Sequence, residues 1–241
     1  MSFMSGDIPH QTLARMSQEA YNPVGARQDV GVYEARTHLS GPRTAVFEGP
    51  GHTVIAHRGT VWSDMQDVAD DGRITIGNPI GPSRRATASR ISQSAEKFGK
   101  PIVHTGHSLG GAVARKVARD RGESNTAFSR WTGFAMNDEN KKATEQCHRS
   151  RNGQLSSGPK HCSNTTDYYN EHDMATTMIT NDYGNKMRRG HLASPGSIQE
   201  NHSLSQFTQG GSGTAAPTKK PRQHPQHQLM ELAMKMTRGN R

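Results

Sequence analysis

The sequence predicts an α/β fold with a mostly parallel central sheet, helices on its faces and a basic tail at the carboxyl end. Short apolar runs typical of strands alternate with amphipathic helical patterns along the first 209 residues, and this alternation is typical of α/β domains. A Gly- and Ser-rich stretch, Gln209–Thr214, then has the composition of a flexible linker. We therefore expect one folded domain over residues 1–209 and a flexible, unstructured tail over residues 210–241.

The predicted domain begins with a helix and a pair of strands. Apolar side chains recur at helical spacing over Thr12–Tyr21, and Asn22-Pro23 ends that pattern. Two strand-like runs follow, Thr44–Phe47 and Thr53–His57, and Glu48–Gly51 has the Gly and Pro content of a turn between them. We therefore expect a helix followed by two strands that are joined by a short turn.

The rest of the predicted domain alternates between helices and strands. Arg84–Phe98 is an amphipathic helical pattern with four apolar residues on one face: Ala88, Ile91, Ala95 and Phe98. A short apolar strand pattern, Pro101–Thr105, precedes a helical pattern over Ala112–Arg119. The last strand-like runs are Phe128–Met136 and Thr165–Tyr169. Strands separated by helices favour parallel pairing, so most of the sheet is expected to be parallel.

The chain is weakly hydrophobic and strongly basic. Only 31% of its 241 residues are hydrophobic, its mean hydropathy is -0.86 and its formal net charge is +9. From Gly211 to the end, six Lys or Arg against one acid give +5, so more than half of the excess lies in the tail. Such charge favours transient contact with an anionic partner, such as a membrane surface, a nucleic acid or an acidic protein. A tail that is merely solvated is an equally good interpretation, and the tail lacks the interleaved aromatic residues that stack on bases.

Targeting segments are not evident in the sequence. It has no run of about twenty apolar residues that could span a membrane. Its first residues lack the basic start and apolar stretch of a cleaved secretory signal. We therefore expect a soluble chain and assign no compartment.

Two cysteines lie in mirrored pairs, Cys147-His148 and His161-Cys162. A disulfide and free thiols are equally compatible with this pattern. Zinc is less favoured, because adjacent Cys and His side chains have difficulty pointing at one metal and the usual ligand spacing is missing. We therefore predict no metal site.

The most informative motif is Gly106-His107-Ser108-Leu109-Gly110-Gly111, a Gly-x-Ser-x-Gly pattern between a predicted strand and a predicted helix. This context is typical of a nucleophile elbow, a sharp turn that needs small residues on both sides of its serine. The elbow presents the serine at the carboxyl edge of the sheet, beside a helix N-terminus whose N–H groups favour negative charge. Ser108 is therefore the candidate nucleophile.

A serine needs a general base, and the base needs a carboxylate that orients it. In α/β hydrolases the three residues follow the chain order Ser, acid, His, each beyond the end of a strand. Asp173 satisfies this order, because it follows the strand-like run Thr165–Tyr169. Its competitors are Asp167, within that run, and Asp182, in a polar stretch. We expect Asp173 to be the acid.

The chain has thirteen histidines, so position along the chain is the criterion that selects the candidate base. His202 lies late in the predicted domain, just before the linker. His191 is its main rival, and His172 is adjacent to the expected acid. Position and order favour His202.

Taken together, these motifs resemble the class 3 lipase family, a fungal-type group of α/β hydrolases. The resemblance runs from Leu13 to Phe207 and is carried by five segments in the family's order: Val54–Thr60 with its Arg-Gly-Thr end, Trp62–Asp70, the elbow Gly106–Gly111, Asn170–Ala175 and Asn201–Leu204. The first and third segments are the specific ones. One departure is that Ala135–Asp138 stands where the family usually has Gly-x-Pro.

The resemblance implies an α/β-hydrolase fold and a triad of Ser108, Asp173 and His202. It also implies an oxyanion hole formed by the backbone N–H groups of Thr60 and Leu109. The implied activity is that of a serine carboxylic-ester hydrolase, a lipase or phospholipase A1-like enzyme that acts on lipids or other acyl esters. Such an enzyme requires no metal or organic cofactor.

The substrate class is less defined than the reaction. The segment after Thr60, where this family carries its lid, has few large apolar residues beyond Val61, Trp62 and Met65. A polar lid favours phospholipid, monoacyl lipid or soluble esters over a triglyceride droplet. Two alternatives stay open: a non-catalytic binding or structural protein that acts through its basic tail, and an esterase for small soluble esters.

Overall fold

The computed structural model describes residues 8–61, 81–130, 165–170, 173, 186–189 and 202–208. In these residues the strands are β1 (Glu34–Ala35), β2 (Thr44–Glu48), β3 (Thr53–His57), β4 (Ile102–His107), β5 (Ser124–Phe128), β6 (Thr165–Tyr169) and β7 (Lys186–Arg189). The α-helices are α1 (His10–Glu19), α2 (Pro82–Ala95), α3 (Leu109–Arg121) and α4 (Ser205–Thr208). Short 3₁₀ turns span Val24–Ala26, Thr37–Leu39 and Glu96–Phe98.

The described strands form one sheet in which the spatial order follows the chain order, from β1 to β7. The pairs β1–β2 and β2–β3 are antiparallel, whereas β3 to β7 run parallel to one another. The register aligns His57 with Gly106 and His107 with Phe128, so the ends of β3, β4 and β5 meet at one edge. The predicted α/β fold with a mostly parallel sheet and flanking helices is therefore confirmed.

Alternate side chains of β3 enter different hydrophobic clusters, as strand geometry requires. Val54 and Ala56 belong to a cluster with α1 and α4, whereas Ile55 packs with Ala95 and Ile102. A further cluster lies between α2 and α3 and contains Ala88, Leu109, Ala112, Val113 and Val117. The apolar face predicted for the second helix is therefore inside: Ala88 and Ala95 are buried, and Ile91 and Phe98 pack against the core.

Most predicted elements are present, and two agree at both ends, Thr53–His57 and Thr165–Tyr169. The strand predicted over Phe128–Met136 is misplaced where the structure describes it, and residues 131–136 lie outside the described residues. The chain pairs with β4 from Ser124 to Phe128 instead, and Ser129 and Arg130 lie beyond the strand. The polar residues Ser124, Asn125 and Thr126 concealed this strand, because pairing with a neighbour, rather than side-chain polarity, decided its position.

The short strands β1 and β7 were missed because neither carries an apolar alternation that the sequence could display. Several predictions lie outside the described residues: the segment after Val61, the Cys147 and Cys162 pairs, and the tail over residues 210–241. The boundary between domain and tail therefore stays a prediction. Among the residues that the structure describes, no helix is long and apolar enough to cross a membrane.

Candidate active site

The chain reverses direction at Ser108, between β4 and α3. Ser108 has φ 56° and ψ -126°, a positive φ that is rare outside glycine. Such a conformation costs about 1–3 kcal/mol and persists only where the surroundings enforce it. Backbone bonds on both sides do so: the Ser108 N–H donates to Phe128 O at 3.0 Å, and Ser108 O accepts from Gly111 N at 3.0 Å. The strained serine is the local structure that a nucleophile elbow requires.

Glycines around Ser108 permit backbone contacts that no side chain would allow. A Cβ at Gly106 would overlap the backbone of Gly110, and a Cβ at Gly110 would overlap the carbonyl group of His57. The first turn of α3 therefore lies directly on β4 and on the end of β3. A Cβ at Gly59 would lie 3.2 Å from the Ser108 Cβ and 2.7 Å from the carbonyl oxygen of His107. The Arg-Gly-Thr turn that follows β3 is thus in contact with the elbow.

These contacts bring both predicted oxyanion donors to the same end of the sheet. Leu109 is the first residue of α3, and the first intrahelical N–H donors are those of Gly111 and Ala112, which bond to Ser108 O. The Leu109 N–H thus precedes the hydrogen-bonded turns of the helix. Thr60 directly follows Gly59, the residue in contact with Ser108. The macrodipole of α3 adds partial positive charge at this point.

The structure brings Ser108, His202 and Asp173 into one hydrogen-bonded chain. His202 Nε2 lies 2.8 Å from Ser108 Oγ, and His202 Nδ1 lies 2.9 Å from each carboxylate oxygen of Asp173. The Asp173 side chain is 2% exposed, whereas that of His202 is 26% exposed. A carboxylate only accepts hydrogen bonds, so His202 Nδ1 carries the proton and Nε2 is free to accept from the serine hydroxyl. This arrangement can remove a proton from Ser108 while one side of the imidazole faces solvent.

The competing acid Asp167 has a different partner. Its two carboxylate oxygens accept hydrogen bonds from Arg130 Nε and Nη2 at 3.0 and 3.1 Å, and both side chains are buried. A second arginine, Arg115, lies 3.8 Å away. Asp167 therefore belongs to a buried ion pair within the sheet. The other rivals, Asp182, His172 and His191, lie outside the described residues.

A buried polar network that the sequence did not reveal lies beneath the turn that follows β3. His57 Nε2 lies 2.9 Å from His104 Nδ1, and His104 Nε2 lies 2.5 Å from a carboxylate oxygen of Glu123. Burial lowers the pKa of His57 well below its usual value, and the charges of His104 and Arg84 add to this shift. Burial alone would raise the pKa of Glu123, but its hydrogen bonds with His104 and Ser92 and the charge of Arg121 together lower it.

The roles of two further residues near the site, Tyr21 and His107, were also missed, although His107 belongs to the elbow motif. His107, which directly precedes the nucleophile, bonds to both Tyr21 and the backbone of His202. The signal available in the sequence was an imidazole at a buried strand position, where an apolar side chain is the usual choice. Its partners come from positions 86 residues before and 95 residues after it, so only the fold reveals them.

Among the described residues, no group of three His, Cys, Asp or Glu side chains is arranged to hold a metal ion.

A family model described as a Tle-like phospholipase domain matches residues 5–189, which include Ser108 and Asp173 and end before His202. The chain is also similar to a solved structure, the native propeptide complex of Rhizomucor miehei lipase. The identity is 13% over 82% of this chain and 75% of that chain, with a TM-score of 0.39. No curated protein matches the sequence.

The family match extends over well more than half of the 241 residues. The broader expectation from the motifs, a lipase- or phospholipase-like protein, is therefore confirmed, and the chain belongs to the family of Tle-like phospholipase domains.

Proposed function

We propose that this protein is a serine carboxylic-ester hydrolase that cleaves acyl esters of lipids. Ser108 is the nucleophile, His202 the general base and Asp173 the residue that orients it. The observation that carries the proposal is the unbroken hydrogen-bond chain from Asp173 through His202 to Ser108. It ends at a serine with positive φ, the strained backbone conformation of a nucleophile elbow.

In the proposed reaction, His202 Nε2 takes the hydroxyl proton as Ser108 Oγ attacks the acyl carbonyl carbon. The N–H groups of Thr60 and Leu109 stabilise the negative charge that develops on the carbonyl oxygen. Asp173 keeps the Nδ1–H tautomer of His202 and stabilises the imidazolium ion that forms. His202 then protonates the leaving alcohol, and water attacks the acyl-enzyme in the same way, which releases a fatty acid and regenerates Ser108.

We further propose that the substrate is a phospholipid and that the reaction is of the phospholipase A1 or class 3 lipase type. The family match supports a phospholipid substrate. The few large apolar residues after Thr60 support it too, because the class 3 lipase family carries its lid in this segment and a polar lid would be poorly suited to a triglyceride droplet.

The direct test is fatty-acid release from phospholipid vesicles and from triglyceride emulsions. Wild type is compared with Ser108→Ala, and Ser129→Ala is the matched control because Ser129 is a second buried serine with positive φ. We expect release from phospholipid by the wild type and the control and none by Ser108→Ala. Full activity of Ser108→Ala would refute the mechanism, and release from triglyceride alone would refute the phospholipid assignment. Turnover of small soluble esters alone would make the protein an esterase, and no turnover at all would favour a binding protein.

The identity of the base is tested separately with His202→Ala and His191→Ala. Loss of activity in the first variant alone is the expected result. Substantial activity in His202→Ala together with loss in His191→Ala would move the role of the base to His191.

A further inference from the structure

A second hydrogen-bond chain reaches His202 at its main chain, whereas Asp173 contacts its side chain. Tyr21 Oη lies 2.9 Å from His107 Nδ1, and His107 Nε2 lies 2.6 Å from the backbone carbonyl oxygen of His202. The rings of His107 and His202 also contact each other, with centroids 4.9 Å apart. The catalytic imidazole is therefore held by Asp173 through its side chain and by His107 through its main chain.

The donor and the acceptor of each hydrogen bond in this series follow from the chemistry of the groups. A carbonyl oxygen only accepts hydrogen bonds, so His107 Nε2 must carry a proton. Burial lowers the pKa of His107 to about 3, and the charge of His202 adds to this shift, so the ring is neutral. A neutral ring that carries its proton on Nε2 has a lone pair on Nδ1, and the hydroxyl of Tyr21 must donate to it. Tyr21 thus selects the one tautomer of His107 that can bind the His202 carbonyl group.

Tyr21 also lies against the turn that delivers the predicted oxyanion donor. A Cβ at Gly59 would overlap the Tyr21 hydroxyl oxygen. Tyr21 is the second residue beyond the carboxyl end of α1, and its own N–H donates to Gln18 O at 3.0 Å. One hydroxyl group at the end of α1 therefore contacts the Arg-Gly-Thr turn and, through His107, the main chain of the base.

We propose that Tyr21 and His107 are positioning residues that set the distance between the His202 imidazole and Ser108. This inference rests on the proposed serine-hydrolase function. Five residues further along the chain from His202, the Phe207 ring packs against Phe128. The bond from His107 is a backbone anchor at the position of the base itself. A displacement of about 1 Å at a reacting group can cost on the order of a hundredfold in rate.

The two nitrogens of His107 can be tested one at a time by substitution. In His107→Gln the side-chain amide nitrogen occupies about the position of Nε2 and can still donate to the His202 carbonyl group. In His107→Asn the amide oxygen occupies about the position of Nδ1 and can accept from Tyr21 but cannot reach His202. Tyr21→Phe removes only the hydroxyl group. Tyr33→Phe is the control, because Tyr33 is a buried tyrosine of the hydrophobic cluster that includes α1 and is not part of this hydrogen-bond chain.

The experiment measures kcat and KM on a soluble acyl ester, the rate of Ser108 labelling by a fluorophosphonate and the thermal unfolding midpoint. For Tyr21→Phe we expect kcat and the labelling rate to fall about tenfold with KM within about twofold, as for the loss of one buried hydrogen bond. His107→Asn should lose about ten- to a hundredfold, whereas His107→Gln should stay within about fivefold of wild type and Tyr33→Phe within about twofold. In the His107→Gln background the Tyr21→Phe substitution should have little further effect, because the two residues act in series.

Three results would overturn the inference: a Tyr21→Phe variant as active as Tyr33→Phe, equal loss in the two His107 variants, or rate losses that multiply in the double variant. A uniform fall in the unfolding midpoint that parallels activity would likewise assign these residues to stability alone. Failure of the proposed function is distinguishable, because wild type would then show neither Ser108-dependent turnover nor Ser108 labelling.

Discussion

Replacing Gly110 by alanine isolates the contact between the elbow helix and the strand that leads to the oxyanion turn. The backbone of Gly110 does not require glycine, since its φ is not among the positive values of this chain. The added methyl group would overlap the His57 carbonyl oxygen and lie 2.7 Å from the Arg58 carbonyl carbon. All of these atoms belong to the backbone, so no side-chain rotation can relieve the overlap.

The size of the effect follows from these distances. Ordinary contact begins near 3.4 Å, so α3 and β3 must separate by at least 3.4 minus 2.7, or about 0.7 Å. Overpacking of this kind costs about 1–3 kcal/mol of the free energy of unfolding, while alanine in a helix returns at most about 1 kcal/mol. A shift of that size between Ser108 and the turn after β3 should lower kcat by about ten- to a hundredfold.

Gly111→Ala is the matched control on the same helical turn. There the methyl group would meet Ala127 Cβ at 3.1 Å, Gly106 O at 3.1 Å and Arg130 Cβ at 3.3 Å, which displacements of a few tenths of an ångström relieve. We expect its free energy of unfolding to stay within about 1 kcal/mol of wild type and its kcat within about fivefold. Urea unfolding followed by circular dichroism and turnover of a soluble ester measure both quantities. Equal effects of the two substitutions, or a Gly110→Ala variant indistinguishable from wild type, would refute the steric argument.

Three other predictions concern the acid, acid stability and the tail. Asp173→Asn should lower kcat about 10³- to 10⁴-fold with little loss of stability. Asp167→Asn should instead lower the free energy of unfolding by about 3–5 kcal/mol, because it breaks a buried ion pair. Urea unfolding and turnover assays that showed the reverse pattern would contradict both roles. The folded-state pKa values of His57 and His107 lie below the value of about 6.5 in the unfolded chain, so only the unfolded state gains these protons as the pH falls. Each of these histidines should lower the free energy of unfolding by up to about 1.4 kcal/mol per pH unit below pH 6.5, and for His107 this continues down to about pH 3. A urea unfolding midpoint that does not change with pH in this range would contradict the prediction. Deletion of Gly211–Arg241 should leave turnover of soluble esters unchanged, and its loss would show that the tail is part of the fold.

The fold and much of the candidate site could be predicted because they depend on local patterns. The elbow requires small residues at fixed spacing around Ser108, and the strand-to-helix change of periodicity is visible on either side of it. Chain order then limited the acid and the base to a few candidates. The structure places the favoured two, Asp173 and His202, within hydrogen-bond distance of each other.

Position along the chain could not identify contacts between distant segments. Asp167 and Asp173 are only six positions apart, but Asp167 lies within β6 and Asp173 lies four residues beyond its end. They therefore reach different partners, Arg130 and His202. The polar strand β5 was misplaced for a related reason, since its pairing with β4 compensates for side chains that do not signal a strand.

Local sequence was sufficient to predict a strained serine between a strand and a helix, because glycine spacing and periodicity are local properties of the chain. The groups that surround this serine could be identified only in the folded protein: the Gly59 turn, the His57–His104–Glu123 network, and the bonds from Tyr21 through His107 to the base. These contacts join residues from 19 to 95 positions apart. Their geometry arises from sheet register and helix packing, which depend on the whole fold and leave no local pattern in the sequence.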